Sequence, residues 1–178
     1  MIEAALAMLM AIAAPAQDAP TPGTIVVEQP AGRDLPPAVK QAFADGIERA
    51  LADARFTALP AGTRGRYIAR FAVTRAARGE VASNGREPKA SAGSTGNWGV
   101  GLAVAMPSNK RQLRGLIVTE LTVEIIDRAS GERVWTGRAL TAQAEGTRTD
   151  APEALAAKLA PAAIGRFPAA DDAPVSVP

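Results

Sequence analysis

The stretch that most constrains this chain is Gly115-Leu-Ile-Val-Thr-Glu-Leu-Thr-Val-Glu-Ile-Ile-Asp-Arg-Ala-Ser-Gly-Glu-Arg-Val-Trp-Thr-Gly137. Ile117, Leu121, Val123 and Ile125 alternate with Val118, Glu120, Thr122 and Glu124. A period of two belongs to a strand with one packed face and one wet face. The pattern predicts two long antiparallel strands, over 116–127 and 132–143. Gly131 supplies the positive φ that the turn after Ser130 needs. Trp135 falls on the return strand, where core or sheet-edge packing is its expected role. Such a hairpin is apolar on one side only. The rest of the chain must supply a second layer to cover it.

The other segments provide that layer. Thr24-Ile-Val-Val-Glu28 reads as a short strand stopped by Pro30. Leu35, Val39, Ala42, Phe43, Ile47, Ala50, Leu51 and Ala54 recur at helical spacing, which predicts a helix over 35–55. Asp34 is its expected cap, and Phe56, Leu59 and Pro60 end it. In 66–75, Tyr67, Ala69, Phe71 and Val73 alternate with Arg66, Ile68, Arg70, Ala72 and Thr74. This is a further amphipathic strand. Residues 76–96 lose the period and read as a long hairpin loop. Asn97-Trp-Gly-Val-Gly-Leu-Ala-Val-Ala-Met106 reads as a strand with one bald face of Gly99, Gly101, Ala103 and Ala105. Asp150-Ala-Pro-Glu153 has the spacing of a capping box, opening a last helix that carries Leu155, Leu159, Ala162, Ala163 and Phe167. Pro161 is expected to kink or break that helix.

The expected fold is α+β. It is a two-layer sandwich with an antiparallel or mixed sheet of about five strands and two helices on one face, in the order β-α-β-β-β-β-α. With 178 residues, one domain with a real core is expected. The expected boundaries are a signal peptide over 1–16, a disordered linker over 17–23, the α/β domain over 24–168 and a disordered tail over 169–178.

Composition excludes several chemistries. Cys and His are both absent from the sequence. There is thus no disulfide, no thiol nucleophile, no Cys/His zinc site and no Ser-His-Asp triad. The glycines do not form a nucleotide-binding loop, since neither G-x-G-x-x-G nor G-x-x-x-x-G-K-[ST] occurs in the required context. No cofactor and no metal are expected.

The amino-terminal segment carries a location signal. Residues 4–14 are an unbroken apolar run containing Leu6, Met8, Leu9, Met10 and Ile12. Ala14-Pro15-Ala16 follows, an A-x-A cleavage pattern before Gln17. The run is shorter than the roughly 20 residues of a membrane span. A cleaved leader, a periplasmic mature protein and no transmembrane span in it are expected. The n-region, Met-Ile-Glu, departs from the usual pattern by having no Lys or Arg.

The element order and the closing hairpin, ending Val134-Trp135-Thr136-Gly137, carry a resemblance. The chain resembles a group of small bacterial envelope proteins, many of them lipoproteins, grouped only as a domain of unknown function. In that group an apolar-alternating strand runs to an Asp. A short turn, an apolar-Trp-x-Gly strand and a helix ending Phe-Pro follow. The matching positions here are Leu121 to Asp127, Ser130-Gly131, Val134 to Gly137 and Phe167-Pro168, and the likeness spans most of 24–168. The chain departs from the lipoproteins in having no lipobox Cys. The resemblance implies an envelope location and supplies no catalytic residues.

Charge gives the one functional asymmetry. Arg64, Arg66, Arg70, Arg75, Arg78, Arg86, Lys89, Lys110, Arg111 and Arg114 are opposed by only Glu80 and Glu87 in that stretch. Arg66, Arg70, Arg78, Arg86 and Lys89 form a candidate anionic-ligand surface for lipopolysaccharide or phospholipid headgroups. Nucleic acid is not an expected partner, because no aromatic stacking set interleaves the Arg residues. The first functional expectation is a non-catalytic structural or protein-interaction role in the envelope. The second is a binding module for an anionic envelope component. A carboxylate hydrolase using Glu120, Glu124 or Asp127 comes third. Glu120 and Glu124, four residues apart on one strand face, would stand about 13 Å apart, too far for paired-carboxylate chemistry.

Overall fold

The computed structural model describes residues 20–30, 35–82, 113–169 and 173–178. The fold is α+β, a single mixed sheet with two helices. The elements are β1 (Thr24–Glu28), α1 (Pro37–Asp53), β2 (Thr57–Leu59), β3 (Tyr67–Ala82), β4 (Leu113–Asp127), β5 (Arg133–Ala144), a 3-10 turn (Arg148–Asp150), α2 (Pro152–Ile164) and β6 (Val175–Ser176). The sheet runs in the order β2-β1-β3-β4-β5-β6. Its centre is antiparallel, β3 with β4 and β4 with β5. The flanking pairs, β1 with β2, β1 with β3 and β5 with β6, are parallel.

Register across the centre is set by alternation. Phe71 lies opposite Val123, and Val123 opposite Gly137; Ala69 faces Ile125, and Ile125 faces Trp135. These rows, with Tyr67 and Leu121, make the buried inner face. A slip of one residue would turn all of them to solvent. α1 lays Phe43, Ile47 and Leu51 on this core, and α2 adds Leu155, Leu159 and Ile164. The two helices also pack on each other. They come close where Gly46 meets Ala156: a Cβ built on Gly46 would stand 3.2 Å from the Ala156 Cβ. At Gly137 there is no room at all, since a Cβ would lie 2.2 Å from the Ala163 carbonyl oxygen and 2.3 Å from the Trp135 ring. Four aromatic rings continue the core at this end. Phe56 meets Tyr67 and Phe167, and Phe167 meets Trp135, all edge-on at 5.0–6.0 Å.

Several local expectations change. β3 continues to Ala82, so 76–82 is strand rather than loop; a bulge between Ala77 and Glu80 interrupts its period and hides it in the sequence. β2, three residues long, follows α1 directly and pairs with β1. In the segment expected to be an unstructured tail, Val175–Ser176 pair with Ala139 and Leu140. Asp150 does not cap α2. Its N-cap is Ala151, with no side-chain cap bond, and the Asp150 carboxylate goes elsewhere. Pro161 does not break the helix either. It sits on the solvent side with Ala157, whose carbonyl it leaves unbonded within the helix and open to water. The expected strand 97–106, the cap Asp34 and the apolar leader 4–14 lie outside the described residues.

Two substitutions test this core. Phe43→Ala and Ile125→Ala, both at fully buried positions, should each lower stability by about 2–5 kcal/mol in a urea melt. Gly137→Ala should cost about 1–3 kcal/mol or more, because strand and helix must part to admit one methyl. A parent-like midpoint for Gly137→Ala would mean that α2 does not sit against β5 as described.

Candidate functional site

The outer sheet face carries the charges. Arg66 and Arg70 extend from β3 and its start, each with a side chain 58% exposed. Both already meet carboxylates. Arg70 Nε donates to Glu28 Oε2 at 3.1 Å, across the β1–β3 pair. Arg66 lies 3.9 Å from Asp127 Oδ2 and stacks over the Tyr67 ring, 4.8 Å from its centroid. Arg78 is exposed near the bulge. Arg86 and Lys89 lie outside the described residues. Of the five candidate cations, the structure thus places three along one strand, and two of these are paired within the chain.

The carboxylates weighed for hydrolysis are also engaged. Arg138 Nε donates to Glu120 Oε1 at 2.8 Å, and Arg133 Nη1 donates to Glu124 Oε1 at 2.9 Å. Both pairs cross the β4–β5 ladder, where opposite charges side by side stabilise the sheet modestly. Asp127 closes the hairpin. Its Oδ1 accepts from the Ala129 and Ser130 amides at 2.8 and 3.2 Å, the local bonding that makes Asp a turn former. Among the described residues, no group of three or more His, Cys, Asp or Glu could hold a metal ion.

The inner face ends on a polar row that the sequence reading missed. Arg75 pairs with Thr119 in register, and Thr119 with Thr141. Arg75 Nη2 reaches the Asp150 carboxylate at 2.8 and 3.0 Å, and the Gly146 amide donates to Asp150 Oδ2 at 3.0 Å. The Arg75 and Asp150 side chains are only 9% and 3% exposed. Gln143 Nε2 donates to Thr141 Oγ1 at 3.0 Å. By sequence Arg75 belongs to the basic meander, but strand phase carries it from Tyr67, Ala69, Phe71 and Val73 onto the inner face. The continued alternation was the signal. Chemically the row is a lock: it ties the 3-10 turn before α2 to the centre of the sheet and withdraws one cation from the surface.

Two features stay open. A shallow groove of about 460 Å³ is lined by Pro20, Thr21, Pro22, Asp53, Ala54, Arg55, Phe167 and Pro168. Arg55 holds φ at 69°, the left-handed turn that ends α1, with the Phe56 amide bonded back to Leu51 O at 2.9 Å. The second feature is a sheet edge. β1 covers β3 only from Tyr67 to Arg70. Beyond that, on the side away from β4, no strand among the described residues lies beside β3 from Phe71 to Ala77, a length of about 20 Å.

No family model, curated protein or solved structure matches the chain.

The buried ion pair gives a sharp test. Asp150→Ala leaves a buried guanidinium without its carboxylate and should cost about 3–5 kcal/mol. Replacing both partners, Arg75→Met with Asp150→Leu, should restore most of that loss. Chemical denaturation of Asp150→Ala, of Arg75→Met and Asp150→Leu singly, and of the double variant closes the cycle. Equal losses in Asp150→Ala and the double variant would mean that shape, not charge, holds this corner.

Proposed function

We propose that the protein is an exported component of the bacterial envelope that acts by holding another protein and not by catalysis. The observation that carries this reading is the side of β3 beyond Arg70, which no strand among the described residues covers. A sheet edge of this length presents peptide N–H and C=O groups to whatever strand can reach them, and proteins that do not use such edges blunt them. The location part rests on the apolar run at 4–14 and the Ala14-Pro15-Ala16 pattern. No helix among the described residues is long and apolar enough to cross a membrane.

A second reading is favoured by the exposure of Arg66 and Arg70. Exposed ion pairs contribute little, so both cations could exchange their carboxylates for lipid or lipopolysaccharide phosphates. Arg78 extends that surface along the same strand.

Three measurements decide between the readings. Fractionation with amino-terminal sequencing should find the protein in the periplasm, beginning at Gln17; a cytosolic chain starting at Met1 would end the export reading. A photoreactive side chain at Ala72, exposed beside the open edge, should crosslink one protein reproducibly in intact cells, whereas the same group at exposed Glu132 should not. For the second reading, binding to anionic vesicles should fall steeply between low and physiological salt, where charges are screened within about 8 Å. It should weaken further in the double variant Arg66→Gln, Arg70→Gln. Flat titrations on anionic and neutral vesicles alike remove that reading.

A further inference from the structure

The segment after α2 returns to the sheet and occupies one of its edges. Val175–Ser176 lies parallel to β5, with Val175 opposite Ala139 and Ser176 opposite Leu140. The Val177 amide donates to Leu140 O at 2.8 Å. Val175 is half-buried against the core and shares a crevice with Trp135, Gly137, Arg138 and Ala163. Val177 is half-buried too, while Pro174, Ser176 and Pro178 are exposed. One residue past Val177, Lys158 Nζ of α2 donates to Pro178 O.

Each contact reads one chemical property. The β5 edge takes an extended backbone through its peptide groups, whatever the side chains. The crevice takes a β-branched residue, and Val177 repeats that residue two positions on, on the same side of the strand. Lys158 meets a main-chain oxygen one residue further. An ammonium at that place favours a chain-terminal carboxylate over a neutral carbonyl, because a charge-assisted bond is about twice as strong.

The resident segment holds its place mainly by proximity. It pairs with two of the 12 residues of β5, in the parallel arrangement, which is the slightly weaker one. Val175 follows Ala169 by six residues, and the Ala169 carbonyl accepts from the Trp135 indole N–H at 3.1 Å. A tether that short gives an effective concentration on the order of millimolar. The same segment of a second copy, free in solution, does not compete with that. A partner already held on this molecule does, since its own chain end is also presented locally. We propose that the β5 edge, the Val175 crevice and Lys158 form a docking slot for the carboxyl-terminal end of a partner protein, of the pattern Val-x-Val-x, and that residues 175–178 fill this slot as a built-in competitor. The proposal extends the protein-holding role above to a second place on the molecule and rests on that role.

The probe is a labelled peptide, Ala-Pro-Val-Ser-Val-Pro, with a free carboxyl end. The controls are the same peptide as its amide, and the acid with its first Val replaced by Asp. In the full chain, Val175→Asp with Val177→Pro takes the resident side chain from the crevice and the resident amide from Leu140 O. Fluorescence anisotropy should find the acid bound at least about tenfold more tightly by this opened chain than by the parent. The opened chain should prefer the acid to the amide by about tenfold and leave the Asp-substituted peptide unbound. Adding Lys158→Gln should remove the preference for the acid and keep the binding of the amide. Hydrogen exchange on the parent needs no substitution. There the Val177 amide should exchange about a hundredfold faster than the amides of the β4–β5 ladder, by local opening. No binding to the opened chain, equal binding by parent and opened chain, indifference to the carboxyl end, or a Val177 amide protected as long as the ladder overturns the proposal. So does a dimer of the parent that the double substitution disperses, since two copies then exchange these segments. If a crosslinked partner in cells is retained while the opened chain binds no peptide, the protein-holding role stands and this slot falls.

Discussion

Everything in the molecule hangs on the phase of one strand pair. β3 and β4 run side by side over most of their length, and each alternates over most of it, with Ile68 and Ile126 buried together on the outer face. That single register decides which side chains meet the helices and which meet water. It sends Phe71, Val123 and Leu121 inward and Arg70, Glu120 and Glu124 outward. β5 then follows β4 with the same phase, and Gly137 leaves the space that lets α2 lie against it.

The same phase has a cost at one end. Continued inward, it buries Arg75, a residue that desolvation would expel without a partner. Asp150, from the turn before α2, supplies the partner, and the Gly146 amide binds the same carboxylate. The ion pair therefore links sheet and helix layer through charge, whereas the rest of the interface links them through apolar packing. Hydrophobic contact tolerates small sliding, but a two-oxygen contact to a guanidinium does not. The polar row thus defines where the helix layer starts relative to the strands.

The sequence revealed those parts whose signals are local. The strand faces of 67–73 and 116–127, the helical stripe from Val39 to Leu51 and the Gly131 turn all follow from spacing within one segment. Short elements escaped. β2 and β6 are too brief to show a period, and their parallel pairing depends on neighbours far along the chain. Asp150 differs from its expected role for a related reason. Its distance to Glu153 suggested a cap, but its actual partner lies at position 75 and leaves no mark nearby. The surface cations were legible as a strand face at Arg66 and Arg70, while their carboxylates, Asp127 and Glu28, come from other strands and were not. The β3 edge left uncovered among the described residues leaves no mark in the sequence, since an edge is defined by which neighbour stops early.

The chain of rings from Tyr67 through Phe56 and Phe167 to Trp135 has a consequence for the order of folding. Phe56 follows the first helix and Phe167 follows the second, so most of the chain lies between them. Closing that loop costs entropy that local contacts cannot offset in advance. The β4–β5 hairpin, with its ends close in sequence, can form early; the ring-to-ring contact must wait until both helices have docked. By contact order, the aromatic chain is the contact expected to close last. Trp135 reports on it directly, because its indole N–H donates to Ala169 O only when the segment after α2 has folded back over the sheet.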